Sequence, residues 1–160
     1  MKVREVMAQE AAFCYPDTSL SQAAELMWKR KCGFLPVIGE GGNVIGVITD
    51  RDISIALGTR NRRPSEISVN DVMSRRLFTC TADDSIASVL STMRIQGLRR
   101  LPVVDREGAL AGILSIDDLA LKSRENVSAK DVSFTDIEDT YKAIYGRTAR
   151  ASMDPAGKAA

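Results

Sequence analysis

The sequence predicts a mixed α/β fold made of two copies of one small unit, each running strand, helix, strand, strand, helix. Sliding the 160-residue chain against itself aligns residues 5–53 with 71–119 without a gap. The aligned identities include a proline, two glycines and an aspartate, and the hydrophobic pattern is unchanged between the copies. A copy of about 60 residues buries too little surface alone, so we expect the two to pack as a pseudo-twofold pair.

The first helix of each copy is predicted after a polar stretch, PDTS or ADDS, where apolar residues follow helical spacing. These residues are Leu20, Ala23, Ala24 and Met27 in the first copy and Ile86, Val89, Leu90 and Met93 in the second.

Two short buried strands follow in each copy and form a predicted hairpin. They are LPVI and VIGVI around the turn GEGGN, then LPVV and LAGIL around DREG. Gly46 and Gly112 lie inside the second strand, which indicates close approach by backbone or ligand. Each hairpin leads into a helix that opens with TDRD or SIDD, and Gly58 is predicted to end the first of these helices.

The chain divides into four predicted segments. The first repeat spans 1–62, a linker 63–70, the second repeat 71–124, and a C-terminal helix with a disordered tail 125–160. The tail helix is predicted over 135–145, with an apolar stripe that packs on its own module or on a second subunit. The stripe consists of Phe134, Ile137, Tyr141 and Ile144, and the final stretch SMDPAGKAA is predicted to be disordered.

Composition excludes several classes of function. The chain has no histidine, which removes Ser-His-Asp and Cys-His catalysis and histidine-ligated zinc. Its net charge of +1 provides no global field for nucleic acid or an anionic membrane. The linker arginines Arg60, Arg62 and Arg63 lack interleaved aromatics, so a solvated linker is favoured over nucleic-acid binding.

Cysteine usage and hydropathy predict a soluble cytoplasmic protein. Cys14, Cys32 and Cys80 form no C-x-x-C pair and are odd in number, so neither a disulfide framework nor a metal site is expected. The N-terminus MKVREVMAQE has charges where a signal peptide needs an apolar run, and no stretch approaches a membrane span.

Two motifs are candidates for ligand chemistry, Thr49-x-x-Asp52 and Ser115-x-x-Asp118. Each lies where a buried strand passes into a helix, so a hydroxyl, a carboxylate and backbone N–H groups converge. The hydroxyl and N–H groups suit a phosphate, and the carboxylate suits a ribose diol. The same spacing is close to a capping box, which needs no ligand, and both interpretations stay open.

The repeated motif set resembles one family. Tandem units with VM, PDTSL, LPV and GVITDRD, then VM, ADDSI, RRLPVVD and GILSIDDL, closely resemble paired cystathionine-beta-synthase (CBS) domains, the Bateman module. The resemblance covers about residues 3–124. It implies a free-standing regulatory module that binds an adenine nucleotide or a related adenosyl ligand between the repeats and associates as a homodimer.

The resemblance also assigns the candidate binding residues. Each cleft combines one hydroxyl–aspartate motif with the start of a strand in the other repeat. The Thr49/Asp52 cleft then gains Arg99 and Arg100, with Arg51 on its own helix, and is expected to hold phosphate better. The Ser115/Asp118 cleft gains Gly33 and Phe34 and carries Asp117 where the first repeat has Arg51. In that second cleft Phe34 or Tyr15 is either an adenine-stacking residue or a core aromatic, and Cys80 is the remaining candidate binding residue.

The function predicted from these residues is a non-enzymatic sensor of AMP, ADP, ATP or S-adenosylmethionine that requires no cofactor and acts on an unidentified effector protein in signal transduction. The alternative is a structural or interaction protein whose clefts are empty and whose motifs only cap helices. An enzyme is disfavoured because the chain lacks histidine, a GxxxxGK phosphate loop and a domain beyond the repeats.

Overall fold

The computed structural model describes residues 1–123 and 132–152. Within those residues the strands are β1 (Phe34–Ile38), β2 (Val44–Thr49), β3 (Cys80–Thr81), β4 (Arg100–Val104) and β5 (Leu110–Ser115). The helices are α1 (Leu20–Arg30), α2 (Asp50–Thr59), α3 (Ile86–Gln96), α4 (Ile116–Lys122) and α5 (Phe134–Ser152). Short 3-10 turns occur at Val3–Glu5, Pro64–Glu66 and Val69–Asp71. No helix among the described residues is both long enough and apolar enough to cross a bilayer.

The chain forms two compact units. The first unit comprises Ala8–Thr81 and Pro102–Ile113, and its core collects apolar residues from α1, β1, β2, α2 and the segment before β3. Its fully buried members are Leu20, Ala23, Leu35, Val37, Ile48, Ile67 and Val69.

The second unit comprises Met1–Met7, Ala82–Leu101 and the described residues from Leu114 onward. Its buried apolar residues include Val3, Ile86, Val89, Leu90, Met93, Leu101, Leu114, Ile116 and Leu119. The four-segment division of the chain given above stays a prediction.

The two hairpins form as the sequence predicts, but the strand before each first helix differs between the repeats. In the second repeat β3 pairs parallel to β4, so the sheet has the order β3-β4-β5. In the first repeat Cys14 makes only an isolated parallel bridge to Val37, beside the antiparallel pair β1-β2. The next donor in that ladder would be the N–H of Pro16, which proline lacks, whereas the second repeat has Ala82 there.

Gly46 and Gly112 are explained by close backbone approach, as predicted. In the first repeat Val47 N–H donates to Ser74 O at 3.0 Å, and a Cβ on Gly46 would lie 2.7 Å from that oxygen. The second repeat has the same arrangement with Ala8, whose oxygen would lie 2.5 Å from a Cβ on Gly112. The backbone at Ser74 and at Ala8 therefore approaches β2 and β5 so closely that only glycine fits at positions 46 and 112.

The predicted helices are present with small differences. Leu20, Ala23 and Met27 are buried on α1, but Ala24 is exposed. The prediction that Gly58 ends the first repeat's second helix was wrong, because α2 continues to Thr59 and is capped by Arg60 in a right-handed conformation.

The C-terminal helix is longer than the predicted 135–145 and packs on α3 and α4 of its own unit. Ile137 and Ile144 are buried, as is Thr140, whereas Phe134 at the start of the stripe is half exposed. Of the two predicted surfaces for the stripe, the structure therefore shows packing on the stripe's own module. The predicted disorder of 153–160 lies outside the described residues.

Candidate functional site

The first motif forms a reciprocal capping box between the end of β2 and the start of α2. The backbone N–H and hydroxyl of Thr49 donate to Asp52 Oδ2 at 2.9 and 2.7 Å, and Asp52 N–H donates to Thr49 Oγ1 at 3.2 Å. Within residues 1–123 and 132–152 no hydrogen bond reaches Asp52 Oδ1. One carboxylate oxygen is thus available at the positive end of the helix.

The start of β1 lies beside this box. Phe34 pairs with Thr49 across the ladder, and Asp50 N–H donates to Gly33 O at 3.2 Å. A Cβ on Gly33 would lie 2.5 Å from an oxygen of the Asp50 carboxylate, so a larger residue there would require the Asp50 side chain to move. Phe34 is buried, which matches the core interpretation of its ring. The prediction that Gly33 and Phe34 face the Ser115/Asp118 motif stays a prediction.

Two other members of the candidate set lie at different places in the first unit. Arg51 is exposed on the first turn of α2, and no ion pair or hydrogen bond in the described part of the chain engages its guanidinium. Tyr15 is half exposed beside Ile38, at the end of β1 opposite Phe34, and its ring meets Phe13 edge-on at 5.7 Å. Tyr15 thus lies at the other end of β1 from Phe34, and its predicted place in the Ser115/Asp118 cleft stays a prediction.

The second motif repeats the capping box in the second unit. Ser115 N–H and its hydroxyl donate to Asp118 Oδ2 at 3.0 and 2.7 Å, and Asp118 N–H donates back to the hydroxyl at 3.1 Å. A third box with the same distances, Ser133 with Asp136, begins α5 outside the repeats. Its hydrogen bonds from Ser133 lower the pKa of the Asp136 carboxyl. Box geometry by itself therefore serves helix capping as well as a ligand.

The arginine pair before β4 lies in the second unit, beside the Ser115/Asp118 turn. Ile116 N–H donates to Arg99 O at 2.9 Å, which fixes the pair next to the start of α4. Arg100 Nη2 lies 3.4 Å from Asp117 Oδ2, and Arg99 Nη1 donates to the Tyr145 hydroxyl at 3.0 Å. The predicted pairing of these arginines with the other repeat's motif stays a prediction.

Two tyrosines of α5 complete this group, which sequence reasoning missed. The Tyr141 hydroxyl donates to Asp117 Oδ1 at 2.6 Å, and its ring stacks on Tyr145 with centroids 6.0 Å apart. Burial, followed by the hydrogen bond to Asp117, raises the pKa of Tyr141 to about 12. We call the five side chains the arginine clamp: Arg99, Arg100, Asp117, Tyr141 and Tyr145. The only sequence signal was the four-residue spacing of the tyrosines, which puts them on one helix face.

The cysteines lie in the cores. Cys80 on β3 is 5% exposed, and its thiol donates weakly to Pro102 O at 3.9 Å. Cys14 makes the matching contact with Pro36 O, and burial raises the pKa of Cys14 to about 12. A structural function therefore accounts for both, and a binding function for Cys80 stays a prediction. No group of three or more cysteine, aspartate or glutamate side chains in the described ranges could hold a metal ion.

The linker arginines make local contacts. Arg60 Nη2 donates to Asp71 O at 2.7 Å, and Arg62 donates to Glu66 O. Both guanidinium groups thereby bind backbone carbonyls in or directly after the linker. This use agrees with the interpretation of the segment as a solvated linker.

Comparison with known proteins decides the family. The model of the CBS domain matches residues 3–58 and 69–125, once for each repeat. The chain belongs to the CBS domain family. The resemblance and the α/β fold of two CBS repeats, both predicted from the sequence, are confirmed.

Curated relatives of this chain include the CBS domain-containing protein YhcV of Bacillus subtilis. It is 34% identical over 127 residues, which is 79% of this chain and 89% of YhcV. A homoserine O-acetyltransferase of Methanohalophilus mahii is 29% identical over 75% of this chain. This chain covers only 24% of that enzyme, so the transferase activity does not follow from the match.

A similar solved structure is the CBS domain pair of protein MJ0100, in complex with 5'-methylthioadenosine and S-adenosyl-L-methionine. It is 25% identical, with a TM-score of 0.69, over 76% of this chain and 98% of that one.

Proposed function

We propose that this CBS protein is a regulatory module that binds an adenosyl ligand, either an adenine nucleotide (AMP, ADP or ATP) or S-adenosylmethionine. The observation that carries the proposal is the helix-start corner of the first repeat. There a hydroxyl, a carboxylate oxygen without a partner in the described ranges, and a glycine-lined strand start meet at the N-terminus of α2. The adenosyl ligands bound by the MJ0100 pair support the choice of ligand class.

Each group in the corner has a counterpart in such a ligand. Asp52 Oδ1 is an acceptor for a ribose hydroxyl, and a vicinal diol offers two O–H donors. The Thr49 hydroxyl and the first N–H groups of α2 already donate within the protein, to Asp52 Oδ2, Gly33 O, Asp50 Oδ1 and Thr49 Oγ1, so a phosphate oxygen takes these donors only by displacing those hydrogen bonds. Arg51, exposed on the same turn, adds a cation that no ion pair in the described ranges neutralises.

The two repeats differ in charge, and we propose that the Thr49/Asp52 site binds phosphate-bearing ligands more tightly. At the second motif Asp117 takes the place of Arg51 and forms an ion pair with Arg100. An incoming phosphate there meets a carboxylate, whereas at the first motif it meets Arg51. Asp52→Ala should therefore weaken AMP binding more than Asp118→Ala in calorimetry, and the reverse order would refute the asymmetry.

A thermal-shift panel with AMP, ADP, ATP, S-adenosylmethionine and NAD tests the proposal. A ligand at 100 times its dissociation constant stabilises by about 2.7 kcal/mol, which such a panel detects. Stabilisation by adenosyl ligands that Asp52→Ala reduces supports the site. No shift with any of them would refute ligand sensing.

The alternative, a structural CBS protein with empty sites, is favoured by one observation. The Ser133/Asp136 box has the same hydrogen bonds as the two motifs yet caps a helix outside the repeats. The thermal-shift panel decides between the alternatives, because none of the ligands in the panel would raise the melting temperature of a structural module whose sites are empty.

We further propose that the module has no catalytic activity, acts in the cytoplasm and signals to an unidentified effector as a homodimer. The absence of histidine supports the first point. Large apolar side chains on the helix surfaces support self-association: Trp28 is 84% exposed and Leu121 is 87% exposed. Light scattering at micromolar concentration should give twice the chain mass of 17.4 kDa, and a monomer at all concentrations would exclude the dimer.

A further inference from the structure

The arginine clamp links the C-terminal helix to two potential anion-binding side chains. Arg99 and Arg100 are adjacent in sequence, and their guanidinium groups contact Tyr145 and Asp117. Asp117 is tied through its other oxygen to Tyr141, and Tyr141 stacks on Tyr145. These contacts form one continuous network, through which α5 and the first turn of α4 hold both arginine side chains.

The groups that hold the arginines resemble an anionic ligand in chemistry. Asp117 supplies a carboxylate to Arg100, and Tyr145 supplies a hydroxyl oxygen and an aromatic face, 6.0 Å from the guanidinium carbon of Arg99. Carboxylate, hydroxyl and ring face are the partners that arginine accepts in place of phosphate. A phosphate that binds either arginine by two parallel hydrogen bonds must compete with them.

The contacts of Arg99 and Arg100 within the arginine clamp are exposed enough for a ligand to replace them. The side chain of Asp117 is 58% exposed and that of Arg100 31% exposed, and Tyr145 is half exposed. Ion pairs in such surroundings contribute little, because water solvates both partners. By contrast α5 is held elsewhere by the buried Ile137 and Thr140, so the clamp can open without undocking the helix.

We propose that α5 is an internal competitor for the arginine pair, so that binding of a phosphate-bearing ligand to Arg99 and Arg100 opens the clamp and releases Tyr141 and Tyr145. The inference rests on the proposed ligand-binding function and adds the element that reports the bound state. Because coupling is reciprocal, loosening the clamp must tighten anion binding by the same factor that anion binding loosens the clamp.

The affinity arm of the test uses AMP and adenosine with three variants of the full chain. Tyr145→Phe removes the hydroxyl that Arg99 contacts, and Asp117→Asn removes the competing charge. Each should raise the affinity for AMP by about two- to fivefold and leave that for adenosine unchanged. Lys142→Ala is the control, since Lys142 pairs with Glu138 on α5 and should have the wild-type affinity.

The conformational arm uses inorganic pyrophosphate at constant ionic strength and ring-labelled tyrosine in NMR spectra. The signals of Tyr141 and Tyr145 should shift on titration. The signal of Tyr15, which lies in the first unit, should not shift, because pyrophosphate has no ring that could stack on the Tyr15 ring. The Tyr141→Phe spectrum assigns the first signal.

The outcomes separate this inference from the proposed function. If AMP binds, but Tyr145→Phe and Asp117→Asn leave its affinity unchanged and pyrophosphate moves neither tyrosine, the competitor inference is refuted and ligand sensing stands. If no nucleotide binds but pyrophosphate moves both tyrosines, the clamp stands and nucleotide sensing is refuted. If nothing binds, both are refuted.

Discussion

The attachment of α5 depends on a polar contact inside the second unit. Thr140 is fully buried, and its hydroxyl accepts a hydrogen bond from Arg94 Nε at 2.8 Å while donating to Asp136 O at 2.6 Å. Arg94 Nη2 also donates to Asp136 O at 2.9 Å. Thr140→Val keeps the shape of the side chain but removes the acceptor for Arg94 Nε.

The expected cost follows from the loss of the buried hydroxyl that accepts from Arg94 Nε. Leaving a buried polar group without its partner costs about 1 to 3 kcal/mol. The Arg94 side chain is 35% exposed, so water partly replaces the lost acceptor. We therefore expect Thr140→Val to lower the free energy of unfolding by about 1 to 2 kcal/mol, in the lower part of that range.

Urea denaturation of Thr140→Val, Arg94→Ala and the double variant measures this effect. If the hydroxyl acts through Arg94, the two changes should couple by about 1 kcal/mol, because Thr140→Val costs less once Arg94 is absent. Thr140→Ser, which keeps the hydroxyl and loses a methyl group, is the control for packing. A Thr140→Val variant as stable as the wild type, or strictly additive changes, would refute the reasoning.

Three further predictions concern thiols, a phenol and glycines. At about pH 8 a thiol-specific reagent should label the partly exposed Cys32 and leave Cys14 unmodified, because burial raises the pKa of Cys14 to about 12. Equal labelling of the two thiols in the native state would contradict this. The raised pKa of Tyr141, about 12 against 10.0, means that the stabilisation from its protonated phenol is present below pH 10.0 and lost as the pH rises through about 12. An absorbance titration should show one late phenol that Tyr141→Phe lacks, and a titration unchanged in the variant would contradict it. Gly112→Ala should destabilise by about 1 to 3 kcal/mol, because its Cβ would lie 2.5 Å from a backbone oxygen. Gly58→Ala, with open space around it, should stabilise by about 0.4 to 1 kcal/mol, and the opposite order in thermal melts would be inconsistent with the packing.

The repeat and most of its elements could be predicted because their signals are local. Hydrophobic spacing placed α1 and α3, and the glycines inside β2 and β5 correctly indicated a close backbone neighbour. The shortened first strand also has a local cause, since Pro16 cannot donate to a ladder.

The clamp and the state of Phe34 could not be predicted because they depend on tertiary packing. Arg99 and Tyr145 are separated by 46 residues, and only the docking of α5 on α3 and α4 brings them together. Likewise the sequence places Phe34 at the start of β1, but whether its ring faces a core or a ligand depends on packing. The motifs were found, but the box at Ser133 shows that the same residues also cap an ordinary helix.

The central claim is that the two hydroxyl–aspartate motifs bind an adenosyl ligand, and an NMR titration tests it most directly. Uniformly nitrogen-15-labelled protein is titrated with AMP, alongside Asp52→Ala as the matched variant. The account predicts amide shifts concentrated at 49–53 and 115–119, with the first set lost in Asp52→Ala. Unchanged amides at both motifs, with AMP at saturating concentration, would contradict it.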